Sequence, residues 1–269
     1  MAMKNILKIM LMMITIFTIA GSAVYAAEIP VSDQDQLITS NDWTEISNLQ
    51  DEMKKEEPDA TIDYDKALKV YVDCNLIKLQ TADTKKLTSA LESANYVWVI
   101  PFKMEKTYGM FTVAKGLPLR EEAKSVLTKA EQEEVKNHAG KWMITEIAEH
   151  TVEPYYDILL EKREALSDCT RVVLVGSQPG MRQPVALGMD DETARIWISL
   201  GYQYPVMEKI PETQNVESGV YSFDSVAEIS DTYIEDSEVS TGVGVQSRSS
   251  MKYVCLLYTS PSPRDTERS

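Results

Sequence analysis

The sequence predicts an α+β fold in which helices pack on a mainly antiparallel sheet, arranged in one or two small lobes. Three observations predict this fold. Apolar residues alternate with period two in several segments, which is typical of strands. Apolar stripes with helical spacing occur between those segments. Gly, Pro and Asp clusters separate the two kinds of segment, which is typical of turns.

The chain divides into five predicted parts. Lys4 and Lys8 precede the apolar run Ile9–Ala20, and Val24-Tyr25-Ala26 fits a small-x-small cleavage pattern. We therefore expect a signal peptide over residues 1–26 and a secreted, extracellular protein. An uncleaved anchor is the alternative, but the apolar run is shorter than a membrane span. The other four parts are an acidic lead-in (27–60), an α+β domain (61–210), an acidic Ser/Thr-rich linker or arm (211–254) and a tail (255–269).

The first elements are predicted from short patterns. A helix over Asp42–Lys55 belongs to the lead-in, which we interpret as mobile, and the ordered domain begins near Thr61. A strand covers Leu68–Leu79, with a bend at Asn75. Thr81 or Asp83 then caps a short amphipathic helix whose apolar face consists of Leu87, Ala90, Leu91 and Ala94.

The most β-prone stretch is Asn95–Gly116, which predicts two strands joined by a turn near Glu105–Thr107. We expect this hairpin to lie at the centre of the sheet. Pro101 lies within its first strand and donates no ladder hydrogen bond, which indicates an edge, a strand end or a bulge. One face of that strand carries Tyr96, Trp98, Ile100 and Phe102.

Helices and strands alternate after the hairpin. Pro118–Gly140 is predicted to be helical with a break at Thr128, because Thr128 and Glu131 form a capping-box pattern. A third strand over Lys141–His150 places Trp142, Ile144 and Glu146 on one face by simple alternation. The remaining predicted elements are a helix over Pro154–Leu166 and strands over residues 171–176, 183–189 and 194–200.

The charge of the chain restricts its partners. The sequence has 42 acidic and 27 basic residues, a formal net charge of −15. Such a surface repels phosphate backbones and anionic lipid heads, so we expect no nucleic-acid partner. We also expect no stable membrane insertion after signal cleavage. An acidic surface also helps to keep a protein soluble outside the cell.

Known catalytic and cofactor motifs are missing from the sequence, and we predict no cofactor, no metal site and no catalytic residue. The two histidines, His138 and His150, belong to no helical metal motif, and surface positions at element ends explain them. The predicted binding residues lie in and beside turns: Tyr202, Tyr204, Gln178 and Arg182. Aromatic side chains suit recognition surfaces, although packing at element ends is the alternative for tyrosines.

Cys74 and Cys169 are the cysteines of the expected mature part. In an exported protein they can form a disulfide. Two buried free thiols are the alternative, because cysteine is among the most buried residue types. The sequence leaves both open.

Residues Cys255–Asp265, CLLYTSPSPRD, resemble one translated reading frame of a transposase mosaic-end sequencing adapter. The resemblance implies that the tail is artefactual and that the native protein is longer. The chain otherwise resembles, in style and without a shared motif, the uncharacterised exported proteins of Gram-positive bacteria. We expect a non-catalytic extracytoplasmic domain that binds an extracellular protein or glycan. The alternative is a secreted hydrolase of cell-wall or nutrient polymers with part of its site missing.

Overall fold

The computed structural model describes residues 29–234, except residues 151, 177, 180, 182 and 203. The predicted signal peptide, the tail and Arg182 lie outside the described residues. The helices are α1 (Trp43–Ile46), α2 (Gln50–Glu56), α3 (Thr84–Glu92), α4 (Lys129–His138), α5 (Tyr155–Glu161) and α6 (Phe223–Ile234). The strands are β1 (Thr61–Ile62), β2 (Leu68–Val72), β3 (Asn95–Lys103), β4 (Tyr108–Lys115), β5 (Trp142–His150), β6 (Arg171–Val175), β7 (Val185–Met189), β8 (Ala194–Ser199), β9 (Asn215–Glu217) and β10 (Val220–Ser222).

The strands form one ten-stranded, mainly antiparallel sheet, which confirms the α+β class. Their order is β5-β4-β3-β2-β6-β7-β8-β10-β9, and β1 pairs with β3 beside β2. Within each half, neighbouring strands are antiparallel, whereas β2 and β6 pair in parallel with Val70 opposite Leu174. Two antiparallel halves are therefore joined by one parallel pair of strands into a continuous sheet.

The predicted hairpin exists as β3 and β4, but its expected central position is wrong. The centre of the sheet is β2, β6 and β7, and β7 is buried along its whole length. Pro101 lies in an internal strand, opposite Met110 of β4. Its carbonyl accepts a hydrogen bond from the Asp63 nitrogen. The side of Pro101 that lacks an N–H is therefore turned away from β4, toward the segment between β1 and β2. No β3–β4 hydrogen bond is lost, because N–H and C=O of one strand residue point to the same side.

The two faces of the sheet carry different cores. We define face A by Lys69 and Tyr71 of β2, and face B by Leu68 and Val70 of the same strand. Face A holds one cluster around Trp197 and another around Trp98, both fully buried. Face B holds a single cluster, to which Tyr155 and Leu159 of α5 contribute. Alternation along β2 therefore supplies both cores from one strand.

The expected mobile lead-in is part of the core. Leu37, Ile46 and Met53 are fully buried in the same cluster as Trp98 of β3. These three apolar residues are spaced so that each reaches the core, although the segment as a whole is polar and acidic. The ordered unit therefore begins before Thr61, contrary to our expectation.

The described part of the predicted linker, residues 211–234, is also ordered. Val220, Phe223 and Val226 are buried, and Val220 pairs with Ile198 of β8. Val220–Ser222 forms the short strand β10, after which α6 begins. The low apolar content of this segment gave no sign of the packing, because a few apolar side chains are enough to pack a helix against the sheet.

Local helix signals were informative. The Asp83 side chain accepts from the backbone nitrogens of Lys85 and Lys86 and caps α3 as predicted. Thr128 and Glu131 form the predicted capping box at the start of α4. The strand predicted over 68–79 ends at Val72, and α5 is shorter than predicted. Across the described residues, no helix combines the length and apolar character needed to cross a membrane.

Candidate binding site around Glu146 and Tyr202

A β-bulge in β5 determines where Glu146 points. Thr112 of β4 lies opposite Glu146, but the next residue, Val113, lies opposite Ile144. Thr145 is therefore the extra residue, and its hydroxyl donates to the Thr112 carbonyl at 3.1 Å. The bulge moves Glu146 from face A, where alternation placed it with Trp142 and Ile144, to face B. Ile147 takes the place on face A instead.

The loop after β8 brings Tyr202 to the same face. Gly201 has φ of +82°, and a Cβ there would lie 2.4 Å from a methyl group of Val152. Both the backbone conformation and the close contact require glycine. The loop therefore packs against the start of α5, and the hydroxyls of Tyr202 and Tyr155 lie 3.2 Å apart. Their rings meet edge to face at 6.3 Å.

Glu146 is a half-buried carboxyl group. Burial raises its pKa above the usual 4.5, and a hydrogen bond from the Thr112 side chain opposes that shift in part. In the part of the chain that the structure describes, neither lysine nor arginine forms a salt bridge with it. An uncompensated carboxyl of this kind is a candidate functional group.

The two tyrosines share the environment of this carboxyl. Burial, followed by neighbouring Tyr202, Tyr204 and Glu146, raises the pKa of Tyr155 well above 10.0. Burial also raises the pKa of Tyr202, and Glu146 adds to that rise. We call Thr112, Glu146, Tyr155 and Tyr202 the tyrosine–glutamate cluster. Tyr155 is buried, whereas Thr112, Glu146 and Tyr202 are half-buried and keep part of their surface, with hydroxyl and carboxyl groups that can form hydrogen bonds with a ligand.

Tyr204, predicted as a binding residue with Tyr202, has a structural role instead. It is 2% exposed, and its hydroxyl donates to the Pro184 carbonyl. Its ring meets that of Tyr202 edge to face at 6.5 Å. Tyr204 therefore supports Tyr202 from within the core of face A and does not reach the surface. The two residues differ because the chain turns after Gly201.

Gln178 is also structural. It is 3% exposed, and its amide nitrogen donates to the carbonyls of Cys74 and Gly176 at 2.6 and 3.0 Å. Its amide oxygen accepts from the Leu76 nitrogen at 2.9 Å. These bonds tie the loop after β2 to the turn after β6. Gln178 is thus occupied by backbone partners, which removes it from the candidate binding set.

Cys74 and Cys169 are free thiols. Cys74 packs against the face A core and Cys169 lies in the face B core, so the sheet separates them. The disulfide that we weighed from the sequence is therefore absent, and the alternative of free thiols describes the structure. Burial raises the pKa of each thiol to about 11.

A second polar cluster lies on face A, where the two cores meet. Asp35 is 2% exposed and accepts from the Tyr71 hydroxyl at 2.7 Å and from the Arg171 guanidinium at 3.2 Å. The Lys69 ammonium lies 3.6 Å from the same carboxylate and 4.6 Å from the Tyr96 ring centre. We call these five residues the aspartate cluster. Two cations compensate the Asp35 carboxylate, and these contacts hold the N-terminal segment against the sheet.

Of the cluster's members, the sequence singled out Tyr202 as a candidate binding residue but not Glu146 or Thr112. The alternation of β5 gave the wrong face for Glu146, and no local pattern marks the bulge. Among the described residues, His, Cys, Asp and Glu form no group of three or more that could hold a metal ion. No protein-family model, curated protein or solved structure matches this chain.

Proposed function

We propose that this chain is an exported, non-catalytic binding domain whose tyrosine–glutamate cluster binds an extracellular glycan. The observation that carries the proposal is the bulge at Thr145, which places Glu146 on face B, where its carboxyl group is close enough to raise the pKa of Tyr155 and Tyr202. Bulges commonly re-aim side chains beside functional sites. The scaffold of the proposal is the sheet with helices packed on both faces, which the shared core clusters support.

A glycan fits this chemistry better than a charged ligand does. Sugar hydroxyls both donate and accept hydrogen bonds, which matches a carboxyl group beside tyrosine hydroxyls. Tyrosine also offers an amphipathic ring at low entropic cost, and Tyr202 keeps part of its surface accessible. An extracellular protein segment that uses the same groups is the other partner expected from the sequence.

Glu146 also gives a specific reason to keep the hydrolase alternative. A carboxyl group whose pKa is raised by burial keeps its proton to a higher pH than an exposed one, which suits a general acid that protonates a leaving group. In this alternative Glu146 is the general acid, and a second carboxyl group acts on the opposite side of the scissile bond.

The test is calorimetric titration with neutral hexasaccharides of the β-1,4-glucan, xylan, chitin and α-1,4-glucan types. We expect at least one to bind, and Glu146→Gln to weaken that binding about tenfold, since one hydrogen bond to a charged group is lost. Tyr156→Phe is the matched control, because Tyr156 adjoins Tyr155 but lies outside the cluster.

Two results would decide against the proposal. Binding that survives Glu146→Gln and Tyr202→Ala unchanged would place the ligand elsewhere. Release of reducing ends from the same hexasaccharides, abolished by Glu146→Gln, would favour the hydrolase.

A further inference from the structure

β5 forms one outer edge of the described sheet. β5 is the terminal strand of the order, with β4 as its one strand neighbour among the described residues. It is nine residues long, which is long for an edge. An edge strand presents backbone N–H and C=O groups to another chain.

The bulge divides this edge into two unequal parts. Residues 146–150 pair regularly with 112–108 of β4, whereas the ladder shifts at Thr145. A chain that adds to β5 can therefore form a regular ladder along residues 146–150. The shorter part, Trp142–Ile144, lies on the other side of the irregularity.

The regular half of the edge is acidic. Glu149 is exposed, and so are Glu56 at the end of α2 and Asp59 just after it. Burial raises the pKa of Glu57, and its neighbours Glu149, Glu56 and Asp59 raise it further, so Glu57 brings the end of α2 close to Glu149 of β5. The opposite end of β5 is flanked by exposed Lys115 and Lys141.

We propose that residues 146–150 of β5 accept an extended, lysine- or arginine-rich segment of a partner polypeptide by strand addition. Main-chain hydrogen bonds supply the pairing, and the carboxylates around Glu149 select basic side chains. A second copy of this chain is a poor occupant. Pairing the two regular halves with each other would bring both acidic patches together.

The probe is a seven-residue peptide with lysine at every second position and threonine or valine between. We expect it to bind the full chain and to slow amide hydrogen exchange along residues 146–150. We expect Glu149→Lys to weaken binding about tenfold by charge reversal. Glu134→Lys, an equal change on the exposed surface of α4, should have little effect.

Two control peptides separate strand addition from simple charge attraction. The same peptide with N-methylated backbone nitrogens should lose binding, since it cannot complete the ladder. A peptide with glutamate in place of lysine should also fail. Equal binding by the N-methylated peptide, equal weakening by Glu134→Lys, or protection of the edge by dimerisation without peptide would overturn the proposal.

Discussion

The aspartate cluster on face A and the tyrosine–glutamate cluster on face B use similar groups in opposite ways. Asp35 has two cations, Lys69 and Arg171, within 3.6 Å. Glu146 has the Thr112 side chain as its hydrogen-bond partner, and burial dominates its pKa. A compensated buried charge is structural, whereas an uncompensated one costs stability and is a candidate for function. For this reason we assign a structural role to the cluster on face A and propose ligand binding at the cluster on face B.

Of the substitutions that test this comparison, we expect Asp35→Asn to change stability most. Asp35→Asn leaves Lys69 and Arg171 without their shared carboxylate, so the free energy of unfolding should fall by about 3 kcal/mol. Urea denaturation measures the loss. Asp33→Asn, an exposed neighbour, should change stability by less than about 0.5 kcal/mol. Equal effects of the two variants would contradict the structural role of the aspartate cluster.

Tyr204→Phe should have the next largest effect. Removing its hydroxyl leaves the Pro184 carbonyl without this donor in the core, which costs about 1–2 kcal/mol. The same denaturation experiment on Tyr202→Phe should give a smaller loss, because Tyr202 is more exposed. A larger loss for Tyr202→Phe would reverse the roles that we assign to the two tyrosines.

Glu146→Gln should stabilise the protein slightly at neutral pH. The folded-state pKa of Glu146 is raised, so its contribution is favourable below the unfolded value near 4.5 and is lost as pH rises through the folded value. Replacing the carboxylate at pH 7 should therefore raise the melting temperature by up to about 3 °C. The gain should vanish near pH 4. A loss of stability at pH 7 would show that Glu146 is compensated, like Asp35.

The smallest effect is expected from a reducing agent. Each face holds one free thiol, so reduction should shift the melting temperature by less than about 0.5 °C, since Cys74 and Cys169 form no cross-link that could be lost. Alkylation after denaturation without reductant should modify both Cys74 and Cys169. If neither cysteine reacts, the two are joined by a disulfide, and our assignment of free thiols is wrong.

Most of what was correctly predicted about the fold came from local sequence patterns. The β3–β4 hairpin, the Asp83 cap and the Thr128 capping box depend on residues close in sequence, and all three were found. The position of the hairpin in the sheet was missed, because the parallel pairing of β2 with β6 joins segments about 100 residues apart. Such pairings leave no local pattern.

The candidate site was harder to predict for the same reason. Tyr202 and Tyr204 were both predicted as binding residues because they follow a strand, and the two cannot be distinguished without the turn at Gly201. Glu146 was assigned to the wrong face, because a bulge changes alternation by one residue without a sequence signal. Leu37 and Met53 were overlooked because the average composition of an acidic segment hides individual buried side chains.

The most direct test of the central claim is a carbon-13 NMR titration of the Glu146 carboxyl carbon, with and without a hexasaccharide that binds. We predict a titration midpoint above 4.5 in the free protein, and a change in that midpoint when the sugar is bound. A midpoint at or below 4.5 that the sugar leaves unchanged would contradict the assignment of binding to the tyrosine–glutamate cluster.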